Sequence, residues 1–367
     1  MKILHTSDWH LGIQLHRHSL LEDQRYMLQQ LYQIVVQEAI DVVLICGDIY
    51  DTTLASKDAI ILFDEAMKML CKTLKCQVIV IAGNHDSHVR LSAMQELLRE
   101  QGLHLFGLLQ ESPKPLTIGD VDFYGVPFVH KDTLSRIYDQ SFTTYEDAFD
   151  RLMEDIRAHK ATRRQIVLAH AFVSGATIGE SDRLAMVGGA DRIGCEVFHD
   201  LDYVALGHLH KAQSCSDHIR YSGSPIAYAF SEAKEKSVTV LDSDTMEIKM
   251  MPLVPLHPLV TLEGNYEDVI EALSQHQNDY VKIILKDQGI QYELLEFLRE
   301  RCPYLLTLQA WQEDGRTESL SVPVNELDQL KDEEILTRFF HDYHGRDISD
   351  EELKWFREAK EGMMSCE

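Results

Sequence analysis

The sequence predicts a layered α/β fold followed by a smaller second α/β unit. Three observations carry this expectation. Short apolar runs rich in β-branched residues recur through about residue 257, and stretches of helical length and mixed polarity separate them. Prolines at 252, 255 and 258 then punctuate the chain before the alternation resumes on a smaller scale. Strands are expected at 3–4, Val42–Cys46, 78–82, 121–124, 166–169 and 203–206. These runs are continuously apolar rather than alternating, as expected of strands covered on both faces. Helices are expected over 22–39, 56–71, 91–101 and 145–159, a turn at 220–225, and a hairpin from 237–241 and 247–253. The proline spacing reads as a linker. Beyond it, 259–262, a helix over 266–274, Tyr280–Leu285, a helix over 291–301 and 304–311 form a β-α-β-α-β unit. The boundaries that follow are 1–257, 258–325 and a helical tail over 326–367. In that tail Ile335, Leu336, Phe339, Phe340 and Tyr343 share one helix face, for packing within the domain or docking onto a partner. Ser349 and Glu352 have the spacing of a capping box.

Composition narrows the function classes. No apolar run approaches the roughly 18 residues needed to cross a bilayer, which excludes a helical membrane protein. The opening residues reach Asp8, His10 and His16 without an apolar signal core, so a cytoplasmic location is expected. Seven scattered cysteines without a C-x-x-C pair argue against a disulfide framework and a zinc ribbon. The net charge is −25, from 35 basic and 60 acidic residues, and the acidic excess is densest in the C-terminal third. Such a chain repels nucleic acid at long range unless metal ions or a partner change the local field.

The informative pattern is where polar residues fall. Nearly every strand expected in the first domain runs into one: Asp8 and His10, Gly47-Asp48, Gly83-Asn84-His85-Asp86, His170, and Gly207-His208-Leu209-His210. In open α/β sheets the carboxyl ends of strands line one crevice, so these five loops should converge. Singly, each has an ordinary explanation: Asp48 as a turn former, Asn84 as a left-handed turn residue, His170 as a satisfied core histidine. Five in order, each at a strand end, point to a site. Asp8, His10, Asp48, Asn84, His170, His208 and His210 offer oxygen and imidazole without thiolate, a set suited to Mn²⁺, Fe or Zn²⁺ more than Ca²⁺. Seven ligands exceed what one ion with an open position uses. They suit two ions about 3.5–4 Å apart that share a carboxylate, the arrangement used for displacement at phosphorus.

The ordered set D-x-H, G-D, G-N-H-D, a lone His and G-H-x-H resembles the calcineurin-like metallophosphoesterases. The runs 4–12, 47–51, 207–211 and 221–225 are similar to the branch of that family that processes DNA ends. The resemblance implies a four-layer α/β/β/α sandwich with a small α/β capping domain and a helical tail. It implies two Mn²⁺ ions per chain, with Mg²⁺ or Fe²⁺ as alternatives. Asp8, His10, Asp48 and His210 would hold one ion; Asp48, Asn84, His170 and His208 would hold the other. Asp48 is then the bridge, and His85 is a catalytic histidine rather than a ligand. The implied activity is 3'–5' exonuclease on double-strand ends and endonuclease on single strands and hairpins, in DNA repair, recombination and replication. An ATPase subunit is the implied partner, with a homodimer of this chain inside a heterotetramer. Two rivals share parts of the evidence: a phosphoesterase for nucleotides or phosphoproteins, which would not need the C-terminal 110 residues or so, and a binding subunit with a vestigial site.

Candidate phosphate contacts are His16, Arg17, His18, Arg90 and Lys131, together with Arg163 and Arg164. Each also has the ordinary reading of a solvated surface charge, and no basic stripe joins them.

Overall fold

A computed structural model of the chain describes residues 1–110, 112–160, 162–177, 192–232, 234–287, 292–311, 317–320, 348–349 and 352–353. The apolar face expected at Ile335 to Tyr343, and most of the tail, lie outside the described residues.

In chain order the main strands are β1 (Lys2–Thr6), β2 (Val42–Cys46), β3 (Gln77–Ile81), β4 (Leu103–Phe106), β5 (Leu116–Ile118), β6 (Val121–Val126), β7 (Arg164–His170), β8 (Tyr203–Gly207), β9 (Gln213–Ser214), β10 (Ile219–Tyr221), β11 (Lys236–Asp242) and β12 (Ile248–Leu253). One six-stranded sheet has the order β12-β11-β1-β2-β3-β4, and a second has β9-β10-β8-β7-β6-β5. In the first, β1 to β4 run parallel and the β11–β12 hairpin adds antiparallel to β1; in the second, β10, β8, β7 and β6 run parallel between antiparallel edge strands β9 and β5.

Alternation along each strand divides its side chains between two cores. Val42, Leu44 and Cys46 of β2 and Ile79 and Ile81 of β3 meet Phe123, Ile166, Leu168 and Tyr203 between the sheets. Val43 and Ile45 face outward onto Met27, Leu28 and Leu31 of α1 (Leu21–Gln37) and Leu62 and Ala66 of α2 (Lys57–Met67). On the other side, Val167, Val204 and Leu206 pack against Phe149, Leu152, Met153 and Ile156 of a helix at Tyr145–Ala158. The result is the expected helix, sheet, sheet, helix stack. The Tyr145–Ala158 helix opens on a capping box, in which Thr144 Oγ1 accepts from Asp147 N–H at 3.0 Å and the Asp147 carboxylate accepts from Thr144 N–H at 2.9 Å.

Three local expectations need correction. The helix expected over 91–101 is two short helices, His88–Leu91 and Gln95–Arg99, parted at Met94, whose φ is 59°. Ser92 Oγ donates to the His88 carbonyl at 2.9 Å, a back-bond that competes with helix continuation. Residues 219–221, mostly assigned to a turn, form β10 beside β8, and the turn begins only at Ser222. Pro252 lies inside β12 rather than in a linker, on an edge strand where its missing N–H costs little.

A further four-stranded sheet is built from Leu259–Gly264, Tyr280–Leu285, Leu305–Trp311 and Thr317–Leu320, with helices Tyr266–Leu273 and Tyr292–Arg301 between its parallel strands. Asp23 on α1 joins it to the main body. Its carboxylate accepts from Tyr280 Oη at 2.7 Å and from His257 Nδ1 at 3.1 Å. The rings of His18, His257, Tyr280 and Tyr304 pack edge to face or tilted around that contact.

At the amino end of β7, Asp202 accepts from Arg164 at 2.6 Å, from Gln165 N–H at 2.9 Å and from Lys160 at 3.3 Å. Partial burial pushes its carboxyl up, but the Gln165 N–H, Arg164 and Lys160 outweigh that and hold it below the ordinary value. Because the folded-state pKa is depressed, the contribution to stability is full above about pH 4 and is lost as pH falls through the folded value. Asp202→Asn should therefore show a shallower loss of stability below about pH 4 than the wild type. Urea midpoints measured across that range check this, and parallel pH profiles would refute it.

Candidate metal centre

The residues after β1, β2, β3 and β8, with the last residue of β7, meet where the carboxyl ends of the two sheets come together. Asp8 N–H donates to the Gly47 carbonyl at 3.0 Å and His10 N–H to the Asp48 carbonyl at 2.9 Å, which locks the first two loops side by side. Asp8, His10, Asp48 and His208 have φ of 52°, 41°, 49° and 107°. Side chains avoid this backbone region, and the strain is held by the packing around it. The close approach also needs glycine at two places. A Cβ on Gly83 would fall inside the Asp48 carboxylate, and one on Gly207 would fall on the Cys46 carbonyl.

All seven candidate ligands come together. His10 Nε2 lies 3.2 Å from His210 Nε2 and 3.7 Å from Asp48 Oδ2. His170 Nε2 lies 3.4 Å from Asp48 Oδ2 and 3.0 Å from Asn84 Oδ1, and His208 Nδ1 lies 3.1 Å from the same Asn84 oxygen. The Asp8 carboxylate accepts from His208 N–H at 3.0 and 3.2 Å. Ligand atoms of Asp8, His10 and His210 fall within 4.8 Å of one another, as do those of Asp8, Asp48 and His170. Asp48 is buried and stands between the two imidazole sets.

These residues fit a divalent cation on structural grounds. The two imidazole nitrogens of His10 and His210 face each other at a distance where only one can carry the proton, and His10 Nδ1 is buried without a hydrogen-bond partner. Burial pushes His10 and His208 down to about 3, so both are neutral and able to ligate at pH 7. Burial raises Asp8 to about 6. Burial opposes the charged form of His170, yet the adjacent Asp48 carboxylate raises it to about 9. Asp48 is lowered in turn, as His170 and His10 outweigh its burial. A cation entering here would replace the His170 proton.

His85 stands beside this set. Its backbone N–H donates to Asp48 Oδ1 at 2.9 Å, and its Nδ1–H donates to the Asp51 carbonyl at 2.7 Å, which leaves Nε2 for the crevice. Its ring meets that of His10 edge to face at 4.8 Å. Asp86 turns away and accepts from Gly83, Ile49 and Tyr50 N–H, stapling the loops after β2 and β3 together. Sequence reasoning gave no role to Asp51, whose carboxylate groups with His10 and His85. Its sequence signals are its place three residues after Asp48 and at the end of the run 47–51.

The candidate phosphate contacts scatter. His16, Arg17 and Arg90 are exposed, with the Arg90 guanidinium donating to the Thr53 carbonyl at 3.1 Å. His18 is half-buried against Tyr280 and Tyr304. Lys131 is half-buried, three residues beyond Phe128, whose ring reaches that of His170. Arg163 and Arg164 must be withdrawn. They sit at the amino end of β7, the end opposite His170, and are paired with Asp120, Asp244 and Asp202.

Comparison with known proteins agrees with this geometry. The calcineurin-like phosphoesterase family matches residues 1–212, and the type 5 capsule protein repressor C-terminal domain matches residues 255–343. The SbcD subunit of the SbcCD nuclease of Staphylococcus saprophyticus is 34% identical over 365 residues, 96% of each chain. Its counterpart in Staphylococcus epidermidis is 31% identical over 366 residues, covering 96% of this chain and 97% of that one. A dimetal phosphatase from Danio rerio, at 13% identity and a TM-score of 0.43 over 70% of this chain and 97% of its own, is too distant to add to the argument. With matches that run almost end to end, the chain belongs to the calcineurin-like phosphoesterases, in the group of the SbcD nucleases.

Proposed function

We propose that the chain is a Mn²⁺-dependent DNA nuclease subunit that hydrolyses phosphodiester bonds at a two-metal centre. The observation that carries this is the convergence of two carboxylates, one amide oxygen and four imidazoles on a single crevice. Asp8, His10, Asp48 and His210 would hold one ion, and Asp48, Asn84, His170 and His208 the other, with Asp48 shared. When bound, such ions clamp the phosphate and supply an activated water at neutral pH. The protein's own contribution is to fix the ligands on strained, cross-bonded loops and to hold a proton at His85 Nε2. That proton serves the leaving oxygen or steadies the charge developing on the phosphate.

The names of the curated relatives place them in a complex with a second subunit. By extension, SbcC is the ATPase partner proposed for this chain, supporting ATP-dependent 3'–5' exonuclease action on duplex ends and endonuclease action on hairpins and single strands. The charge of −25 supports that division of labour, since duplex grip then falls to the partner. Exposed Leu54, Ile60, Val89, Met94 and Leu97, on and around α2 and the two short helices after β3, support a homodimer through that face. Residues 1–257 act as the nuclease domain, 258–325 as its cap and 326–367 as the docking tail. Among the described residues no helix is long and apolar enough to cross a membrane.

Chelated protein should lose cleavage of end-labelled duplex and hairpin DNA, and Mn²⁺ should restore it better than Ca²⁺, which prefers more oxygens at longer distances. Undiminished cleavage after exhaustive chelation overturns the two-metal reading. Restored turnover confined to a chromogenic monoester would favour a nucleotide or phosphoprotein substrate instead.

A further inference from the structure

His210 is held from both ends by residues outside the five motif loops. Its Nδ1–H donates to Glu232 Oε1 at 3.1 Å. The other carboxylate oxygen, Oε2, accepts from Lys236 Nζ at 2.7 Å, and the side chains of Glu232 and Lys236 are 4% and 7% exposed. Lys236 also donates to Ser224 Oγ at 2.7 Å and to the His210 carbonyl at 3.2 Å, and the Ser224 N–H donates to that same carbonyl at 3.1 Å. One buried ion pair therefore fixes the ring of His210 through Glu232 and its backbone through Lys236 and Ser224.

The other imidazoles are held differently. His170 Nδ1–H donates to the neutral Cys46 carbonyl at 2.9 Å, and His10 Nδ1 makes no hydrogen bond, the nearest carboxylate oxygen, Asp51 Oδ1, standing 3.8 Å away. A carboxylate behind a ligating imidazole fixes the tautomer, orients the ring and makes the facing nitrogen more basic. At His210 that nitrogen is Nε2, which points at His10 Nε2 and the Asp8 group.

We propose that Glu232 is a positioning residue for the metal centre, presenting His210 Nε2 to the ion shared with Asp8 and His10. The inference rests on the two-metal reading above. It makes the two ions unequal in their dependence on the outer shell: the ion at His210 relies on the Glu232–Lys236 pair, and the ion at Asn84, His170 and His208 does not.

The test is titration of the metal-free full chain with Mn²⁺ by calorimetry, with bound ions counted by elemental analysis. Wild type should take up two ions, and fewer than two would refute the two-metal reading itself. Glu232→Ala should weaken one ion about 10–100-fold and leave the other within about threefold. Glu232→Gln, whose amide oxygen still accepts from Nδ1–H, should recover part of that loss. Glu232→Ala leaves Lys236 buried without its counter-charge, so a double variant, Glu232→Leu with Lys236→Met, removes both charges while filling the space. It should fold and show the same selective loss. If wild type binds two ions and the double variant also binds both with wild-type affinity, Glu232 does not position His210 and the inference is overturned.

Discussion

Asp48→Asn should abolish hydrolysis and empty both metal positions together. Asp48 Oδ2 lies between His10 Nε2 at 3.7 Å and His170 Nε2 at 3.4 Å, so this one carboxylate oxygen stands against an imidazole of each set. Asparagine is the informative change because it tolerates the positive φ of 49° at this position, whereas alanine adds backbone strain to the loss of charge. The amide keeps an oxygen for the His85 N–H but removes the charge that holds His170 protonated until a cation arrives. The loss should exceed the roughly 10²–10⁴ contributed by a single positioned acid or base. Elemental analysis and DNA cleavage measured on the same preparation check it. Two retained ions would show that Asp48 is not shared.

His85→Gln should separate binding from chemistry. Both ions should remain, the fold should be unchanged, and cleavage should fall by roughly 10²–10⁴. The structural reason is that His85 is anchored through its backbone N–H and its Nδ1, leaving only Nε2 to act. The seven candidate ligand side chains meet one another without it. Equal metal content with normal rates would move proton delivery elsewhere, and a chain with one ion would make His85 a ligand.

The fold was legible where the sequence had only one way to bury its runs. Val42–Cys46 is apolar throughout because both of its faces are covered, and the structure returns the same five residues as a strand. Short edge strands were not legible. Leu116–Ile118 has three residues, and in Leu103–Phe106 the run is interrupted by His104, whose Nε2–H donates to Gln77 Oε1 at 2.8 Å. The break at Met94 depends on a serine back-bond that periodicity does not register. The site followed the same logic. Asp8, His10, Asp48, Asn84, His170, His208 and His210 announce themselves by standing at strand ends. Glu232 reaches His210 only after the chain has passed through β10 and the turn beyond it, and Asp51 gains its neighbours only when the loops after β1 and β3 close over it. No local pattern encodes either meeting.

The two sheets touch backbone to backbone at the crevice end, where Gly207 passes the Cys46 carbonyl and His170 Nδ1 reaches that same carbonyl. Farther down, side chains such as Ile3, Leu44, Phe123, Ile166 and Tyr203 hold the sheets apart. Asp48 and His170 come from opposite sheets, so the site spans the seam between the two layers. A change of side-chain volume at Leu44, Phe123 or Ile166 should therefore be felt at the crevice, because a close-packed interior transmits strain.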